Sequence, residues 1–328
     1  MVPVRQPDGT DGLRIASVVV TFNRLGQLRS TVERLLAEPV EHVLVIDNLS
    51  TDGTAEWLAG ATDPRLVVIR PEQNVGGAGG FELGMREAVI RFDPDWLVLM
   101  DDDARPEAGT IARFRRMDRS GWGVLAASVY YPDGPVCDMN RPSVNPFWHP
   151  AAFLRTLFGQ GRMGFHLPDS AYAAAGAIAI DAASFVGLFV SRDAVRRTGY
   201  PDGKLFIYGD DVLYSLAMRR AGCRIGFVPE LRFVHECSTF DAGSKVFMPL
   251  WKAYYHHRNL LFVYSSASGV LFGLVLLLIL PKWLLKGAGY GADRPAFKRL
   301  VALAINDGLR GRRDRTHQDV LARASGRG

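Results

Sequence analysis

The chain has 328 residues, 48% of them hydrophobic and 22% charged, the balance of a folded core under a solvated surface, which excludes a disordered chain. Its formal net charge of +5 is a property of the tail, because from Gly287 onward nine Lys or Arg stand against four Asp or Glu; the neutral body disfavours a nucleic-acid-binding module. Cys137, Cys223 and Cys237 are widely spaced without a CxxC pair, which argues against a disulfide framework or a thiolate zinc site and for a reducing compartment.

The opening residues contain no apolar stretch of the secretory-signal kind, so the catalytic part is expected to stay in the cytosol. Runs 15–22 (IASVVVTF), 42–47 (HVLVID), 65–70 (RLVVIR) and 96–100 (WLVLM) read as buried strands. Segments 25–37, 54–61 and 81–92, with helical spacing, lie between them. Strands alternating with helices predict an α/β chain with a parallel sheet covered on both faces, its functional residues beyond the strands' carboxyl ends. After Pro106 the pattern predicts a helix at 107–119, a strand at 123–131 and an irregular, Pro-rich and aromatic stretch to about 167. That stretch is either an acceptor-binding loop, with 137–167 serving as a lid, or a surface excursion. Segment 177–190, a helix opening at Asp210 and strands at 224–228 and 232–235 follow.

Segment 260–280 carries no charge and is long enough to span a bilayer. Its first third holds Tyr264, Ser265, Ser266 and Ser268, however, and basic residues flank both ends, an arrangement a single crossing does not satisfy. The reading favoured is monotopic insertion, with Trp283 and the lysines at headgroup level and the tail against anionic lipid. The alternative is a buried helix packed on the catalytic domain.

Three adjacent carboxylates, Asp101, Asp102 and Asp103, follow directly on a strand. They repel one another unless a cation neutralises them, and oxygen-ligated Mg²⁺ or Mn²⁺ fits such a site; a solvated acidic loop capping the next helix is the alternative. Strand geometry would put Asp101 and Asp103 on one side. In DNLSTDGT (47–54), capping explains Asp52 but not Asp47, which stands at a strand's carboxyl end and would accept from a base or ribose. NVGGAGGF (74–81) precedes a helix with four glycines that let backbone approach a diphosphate or sugar. Neither GxGxxG after the first strand nor GxxxxGK[ST] occurs, which disfavours dinucleotide oxidoreductases and P-loop enzymes. Asp210 and Asp211 open a helix, where the dipole favours negative charge: Asp210 as an N-cap, Asp211 as a candidate proton acceptor. His235 ends a strand and is either structural or an imidazole for metal or acid–base work.

Together, VVVTFNR (18–24), DNLSTDGT, NVGGAGGF, DDD (101–103), SFVGLFVSRD (184–193), LFIYGDDVLYSLAMRRAG (205–222) and VH (234–235) resemble the family 2 glycosyltransferases, in the same order, over residues 14–240. Within that family the galactofuranosyltransferase and rhamnosyltransferase branch is most similar. The resemblance implies a GT-A type nucleotide-diphospho-sugar transferase fold, a Rossmann-like, mostly parallel sheet with flanking helices. Residues 1–13 would be an extension, and 241–328 a C-terminal helical region with a membrane-associating segment at 260–285 and a basic tail. Thr21 and Asn23 would line the nucleotide site, Asp47 would bind a uracil or thymine base, and the loop with Gly76, Gly77 and Gly79 would face the diphosphate-sugar. Asp101, Asp103 and His235 would hold Mn²⁺ or Mg²⁺, with Asp102 nearer the ribose. Asp211, paired with Asp210, would be the general base of an inverting displacement. The family often has an acidic residue shortly after this pair, whereas Val212 and Leu213 stand here, so acceptor contacts are expected to differ.

The implied partners are a nucleotide-sugar donor, UDP-galactofuranose or alternatively dTDP-rhamnose, and a lipid-linked or glycan acceptor. The place is the cytoplasmic side of the cell membrane, and no nucleic acid is involved. A metal-dependent nucleotidyltransferase is the more distant enzyme class.

Overall fold

The computed structural model describes residues 12–236 and 246–325. The expected boundary at 240 and most of the extension 1–13 lie outside the described residues. The elements of the first half are β1 (Ile15–Thr21), α1 (Leu25–Leu36), β2 (His42–Asp47), α2 (Thr54–Ala59), β3 (Leu66–Ile69), α3 (Gly76–Phe92), β4 (Trp96–Asp101), β5 (Ala104–Pro106), α4 (Thr110–Arg116) and β6 (Val124–Tyr130). After a short α5 (Pro150–Arg155) come β7 (Ile178–Ile180), β8 (Leu188–Ser191), α6 (Arg192–Thr198), α7 (Asp210–Arg220) and β9 (Ile225–His235). Four helices complete the chain: α8 (Lys252–Ser268), α9 (Phe272–Lys286), α10 (Arg294–Leu309) and α11 (His317–Ala324).

The strands form one sheet in the order β3-β2-β1-β4-β8-β6-β9-β5, with β7 on β9. Both faces are covered, which is why every residue of β1 is buried. Val18 and Val20 pack with Phe81 and Met85 of α3 and with Tyr214 and Met218 of α7. Ile15 and Val19 point the other way, onto Leu28 and Val32 of α1 and Phe114 of α4. The β3-β2-β1-β4 half is parallel, as expected, but β8 runs antiparallel between β4 and β6, so the sheet is mixed.

Two features of the sheet place the site. The order reverses at β1, and the register sets Thr21 beside Asp47 and Val20 beside Asp101; the carboxyl ends of β2, β1 and β4 therefore meet at a switch point, the usual ligand crevice of such sheets. Farther along, the two expected strands 224–228 and 232–235 are one strand, β9, whose ladder with β6 shifts between Ala127 and Ser128. Pro229 sits at that irregularity, where a missing N–H is tolerated, and Ser128 Oγ lies 2.8 Å from its carbonyl. Past the shift β9 pairs with β5, bringing His235 opposite Ala104.

The C-terminal helices revise two expectations. Segment 260–280 is not one unit, because the chain breaks at Gly269, whose φ of 52° favours glycine. Before the break, α8 is packed inward through Tyr254, Tyr255, Arg258, Asn259, Leu261 and Phe262. After it, α9 leaves Leu274, Leu277, Leu278 and Leu285 exposed, Leu277 at 72%. Trp283, expected at headgroup level, is instead buried and meets the His257 ring at 4.8 Å. The basic tail is partly paired within the fold, Arg315 with buried Asp307 and Arg313 with Asp202. Among the described residues one helical stretch, Lys252–Leu309, is long and apolar enough to cross a membrane by length and composition.

Candidate functional site

Asp101 is the last residue of β4, and the turn into β5 carries the other two acids. As the strand alternation requires, they part: Asp102 turns inward, accepting from Thr21 Oγ1 at 2.7 Å, while Asp101 and Asp103 face His235. Ligand atoms of Asp101, Asp103 and His235 all lie within 4.8 Å of one another. Arg24, at the start of α1, contacts Asp103 and lies 3.5 Å from Asp102. Burial is the main cause that pushes Asp102 up to about 7, against the Thr21 hydrogen bond and the Arg24 charge. Asp101, raised by burial and by the neighbouring Asp103 charge to about 6, has no hydrogen-bond donor of its own among the described residues. For Asp103, burial acts upward but the His235 and Arg24 contacts win and hold its pKa low.

His235 is gripped from both sides. Nε2 lies 3.0 Å from Asp103 Oδ1, and Nδ1 lies 2.7 Å from Asn140 Oδ1. Burial opposes protonation, but Asp103 and Cys137, with the acid charges, outweigh it and raise the imidazole to about 10. Asn140 in turn donates Nδ2 to Ser184 Oγ at 2.9 Å and accepts from Cys137 Sγ at 3.0 Å. Two carboxylates and an imidazole converging on one point fit a divalent ion such as Mn²⁺ or Mg²⁺.

The turns after β1 and β2, expected to line a nucleotide, are tied together by hydrogen bonds and an ion pair. Asp47 is fully buried; it accepts from Ser50 N at 2.8 Å and pairs with Arg70 Nε at 2.9 Å. Asn23, at φ 54°, accepts from Thr51 N at 2.7 Å and thus ties the β1 turn to the β2 turn. Asp52 accepts from Leu25 N and Thr54 N at the starts of α1 and α2, although the N-cap of α2 is Gly53 and not Asp52.

The glycine run also differs from expectation: it is the first turns of α3 and not a loop before it. A Cβ on Gly80 would lie 2.5 Å from Val20 Cγ1, and one on Gly84 would collide with Val18, so these glycines let α3 lie close against β1. At Gly76, φ is +71° and a Cβ would strike the Phe206 carbonyl; a Cβ on Gly79 would meet Val75 at 2.6 Å. Gly77 alone of the three expected site glycines opens onto free space. Asn48 closes this corner, donating to Gly76 O at 3.1 Å and accepting from Val75 N.

Asp210 and Asp211 occupy the first turn of α7, after Gly209 at φ 77°. Asp210 is therefore not the N-cap. Burial, then the Asp211 charge, raises Asp210 well above the ordinary carboxylate value. Burial lifts Asp211 to about 6, and its charge is felt by Asp101 across the crevice. The buried Asp210 and the half-buried Asp211 are thus electrostatic neighbours of Asp101. Asn48, Arg70, Cys137, Asn140 and Ser184 were not singled out from sequence as site residues.

Residues 17–172 match the model of Glycosyl transferase family 2. The chain is 28% identical over 228 residues to a galactofuranosyltransferase, GlfT1, of Mycolicibacterium smegmatis, covering 69% of this chain and 72% of that one. It is 27% identical over 220 residues to an undecaprenyl-phosphate mannosyltransferase of Micrococcus luteus, covering 66% and 82%. Among solved structures, the mannosyltransferase PcManGT of Pyrobaculum calidifontis, in complex with GDP-Man and Mn²⁺, superposes with a TM-score of 0.51 at 15% identity, over 99% of this chain and 83% of that one; at this identity the likeness speaks for the fold alone. A switch-point crevice on a GT-A sheet and these matches make the chain similar to the family 2 glycosyltransferases, the galactofuranosyltransferases among them.

Proposed function

We propose that this chain transfers galactofuranose from UDP-galactofuranose, with inversion, to a lipid-linked glycan acceptor at the cytoplasmic face of the cell membrane. The observation that carries the reading is the convergence of Asp101, Asp103 and His235 at the switch point, with the half-buried Asp211 close enough for its charge to act on Asp101. Asp101, Asp103 and His235 would hold the divalent cation, which when bound supplies positive charge against the departing diphosphate. Asp211, with a pKa near 6, is largely ionised at neutral pH and would take the acceptor hydroxyl's proton as that oxygen attacks the anomeric carbon. Arg70 and Asp47 would frame the base, and the open backbone at Gly77 would admit the diphosphate-sugar.

The acceptor class rests on the exposed leucines of α9 and on the polyprenyl-linked substrate named for the Micrococcus luteus relative. Although the helical stretch Lys252–Leu309 is long enough to cross a membrane, its exposed apolar part, α9, has 15 residues and at about 1.5 Å per residue is about 22 Å long, short of a hydrocarbon core of about 30 Å. This favours a helix lying at or dipping into the interface, with Lys282 and Lys286 toward anionic headgroups.

The test is release of nucleoside diphosphate from UDP-galactofuranose, UDP-galactopyranose, dTDP-rhamnose and UDP-glucose, with Mn²⁺ and with chelator. Metal-dependent release from UDP-galactofuranose, lost in Asp103→Ala, is expected. Turnover of dTDP-rhamnose in its place would reassign the donor.

A further inference from the structure

We infer that Asn259 and Arg258 of α8 are positioning residues of the active site, so that the C-terminal helical region sets the catalytic geometry as well as any membrane contact. A strained segment joins α6 to α7. Phe206 and Tyr208 there have φ of 70° and 69°, values that cost a bulky L residue energy and persist only where surrounding structure enforces them. Neither residue is a glycine, asparagine or aspartate, the types that accept this region readily.

The enforcing groups lie on α8. Asn259 Nδ2 is 3.0, 2.8 and 2.9 Å from the carbonyls of Leu205, Ile207 and Tyr208, so two N–H bonds are shared among three acceptors. Arg258 donates Nη2 to the Leu205 carbonyl at 2.9 Å and Nε to Asn259 Oδ1 at 2.8 Å, which fixes which end of the amide faces the segment. Both side chains are buried, and the guanidinium lies over the rings of Tyr254 and Tyr255 at 5.3 and 5.1 Å. Buried donors of this kind have no water to fall back on, so the carbonyls are held where the amide puts them.

What the segment holds is the site. It ends at Gly209, directly before Asp210 and Asp211. At its middle, the Phe206 carbonyl accepts from Ala78 N at 3.0 Å in the first turn of α3 and packs against Gly76. One amide on α8 therefore braces both the candidate base and the glycine turn expected to face the donor. The Asp101–Asp103–His235 cluster, by contrast, is built from β4, the turn into β5 and β9 and, among the described residues, takes no hydrogen bond from α8.

The bearing on turnover rests on the proposed glycosyl transfer; the bearing on the segment does not, and the experiment reads both. Asn259→Ala and Asn259→Asp are compared with wild type by amide hydrogen exchange across 203–213, by Mn²⁺-dependent UDP binding, and by kcat and KM. The expected result is faster exchange confined to that segment, UDP affinity close to wild type, and kcat lowered about 100-fold, the scale of a misplacement near 1 Å. Unchanged exchange in a folded variant overturns the inference, whatever the donor proves to be. Parallel loss of UDP binding and kcat with a global rise in exchange overturns it too, since that marks a merely structural residue. Should Asn259→Ala fail to fold, Arg258→Lys, which removes the bond to Asn259 Oδ1 and keeps the charge, is read by the same criteria. Wild-type silence with every donor would count against the transfer reading alone.

Discussion

His235 presents Nε2 to Asp103 Oδ1 at 3.0 Å while Asn140 Oδ1 holds its Nδ1 at 2.7 Å. An imidazole anchored through one nitrogen offers the other as a ligand in a fixed direction. Asn140→Ala should weaken Mn²⁺ binding about 10- to 100-fold, measured by the free-ion signal in electron paramagnetic resonance titration. Because the surrounding acids keep His235 protonated up to about 10 in the cation-free protein, loading must expel that proton, and affinity should climb as pH rises. Affinity independent of pH would remove His235 from the ligand set.

The pKa of Asp211, lifted by burial to about 6, gives the proposed transfer a definite pH profile. A base acts only when deprotonated, so kcat/KM should rise with pH below about 6 and level off above it, and Asp211→Asn should cost about a thousandfold. The stability effect has the opposite sign. Asp211 binds its proton more tightly folded than unfolded, so its contribution is complete below the ordinary carboxylate range and is lost as pH rises through about 6. Asp211→Asn should accordingly stabilise the protein more at pH 7 than at pH 4, read by urea denaturation.

The glycines of α3 divide into two kinds. Gly80→Ala forces a methyl group to 2.5 Å from Val20 Cγ1 and should cost about 1–3 kcal/mol by overpacking. Gly77→Ala meets nothing within 4 Å and should stabilise the helix by up to about 1 kcal/mol. If the donor diphosphate lies over Gly77, this more stable variant will show a raised donor KM; an unchanged KM would take Gly77 out of the site.

Asp307, fully buried on α10, accepts from Tyr254 at 2.8 Å and from Arg315 at 2.6 Å, fastening the last turns of the chain to α8. Burial alone would raise its pKa, but the Arg315 and Tyr254 hydrogen bonds prevail and depress it. Its stabilisation is thus present above the ordinary carboxylate range and disappears as pH falls through the depressed value. Arg315→Met, which strands the buried carboxylate, should cost about 3 kcal/mol at pH 7, and less in acid, by chemical denaturation.

On α9, Leu277→Glu and Leu278→Glu replace exposed apolar side chains. Each should weaken sedimentation with anionic phosphatidylglycerol vesicles about tenfold while leaving metal-dependent hydrolysis of a soluble donor unchanged. Vesicle binding that survives both changes would refute the membrane role of this helix.

How much of this was visible beforehand follows physical lines. β1, β2 and β4 are buried on both faces and so appear as unbroken apolar runs, and the three acids at the end of β4 are neighbours in the chain. Asp211 and His235 were marked by their places at a helix start and a strand end. Asn140, Arg70 and Asn259 were not, because a polar residue in a loop or helix acquires its role only from what the tertiary path lays beside it. Intrinsic preference misled at 76–80, where glycine disfavours helix, yet the missing side chain at Gly80 lets the helix pack close on Val20. The uncharged run 260–280 reads as one segment but holds a packed helix and an exposed one, since one glycine at position 269 is enough to separate them.

The exposed leucines of α9 also bear on the dimensionality of the reaction. An enzyme held at a bilayer meets a lipid-borne acceptor by lateral diffusion, while its nucleotide sugar arrives from bulk water. Its rate would then follow the mole fraction of acceptor in the bilayer, and would fall when bare lipid is added at constant total acceptor.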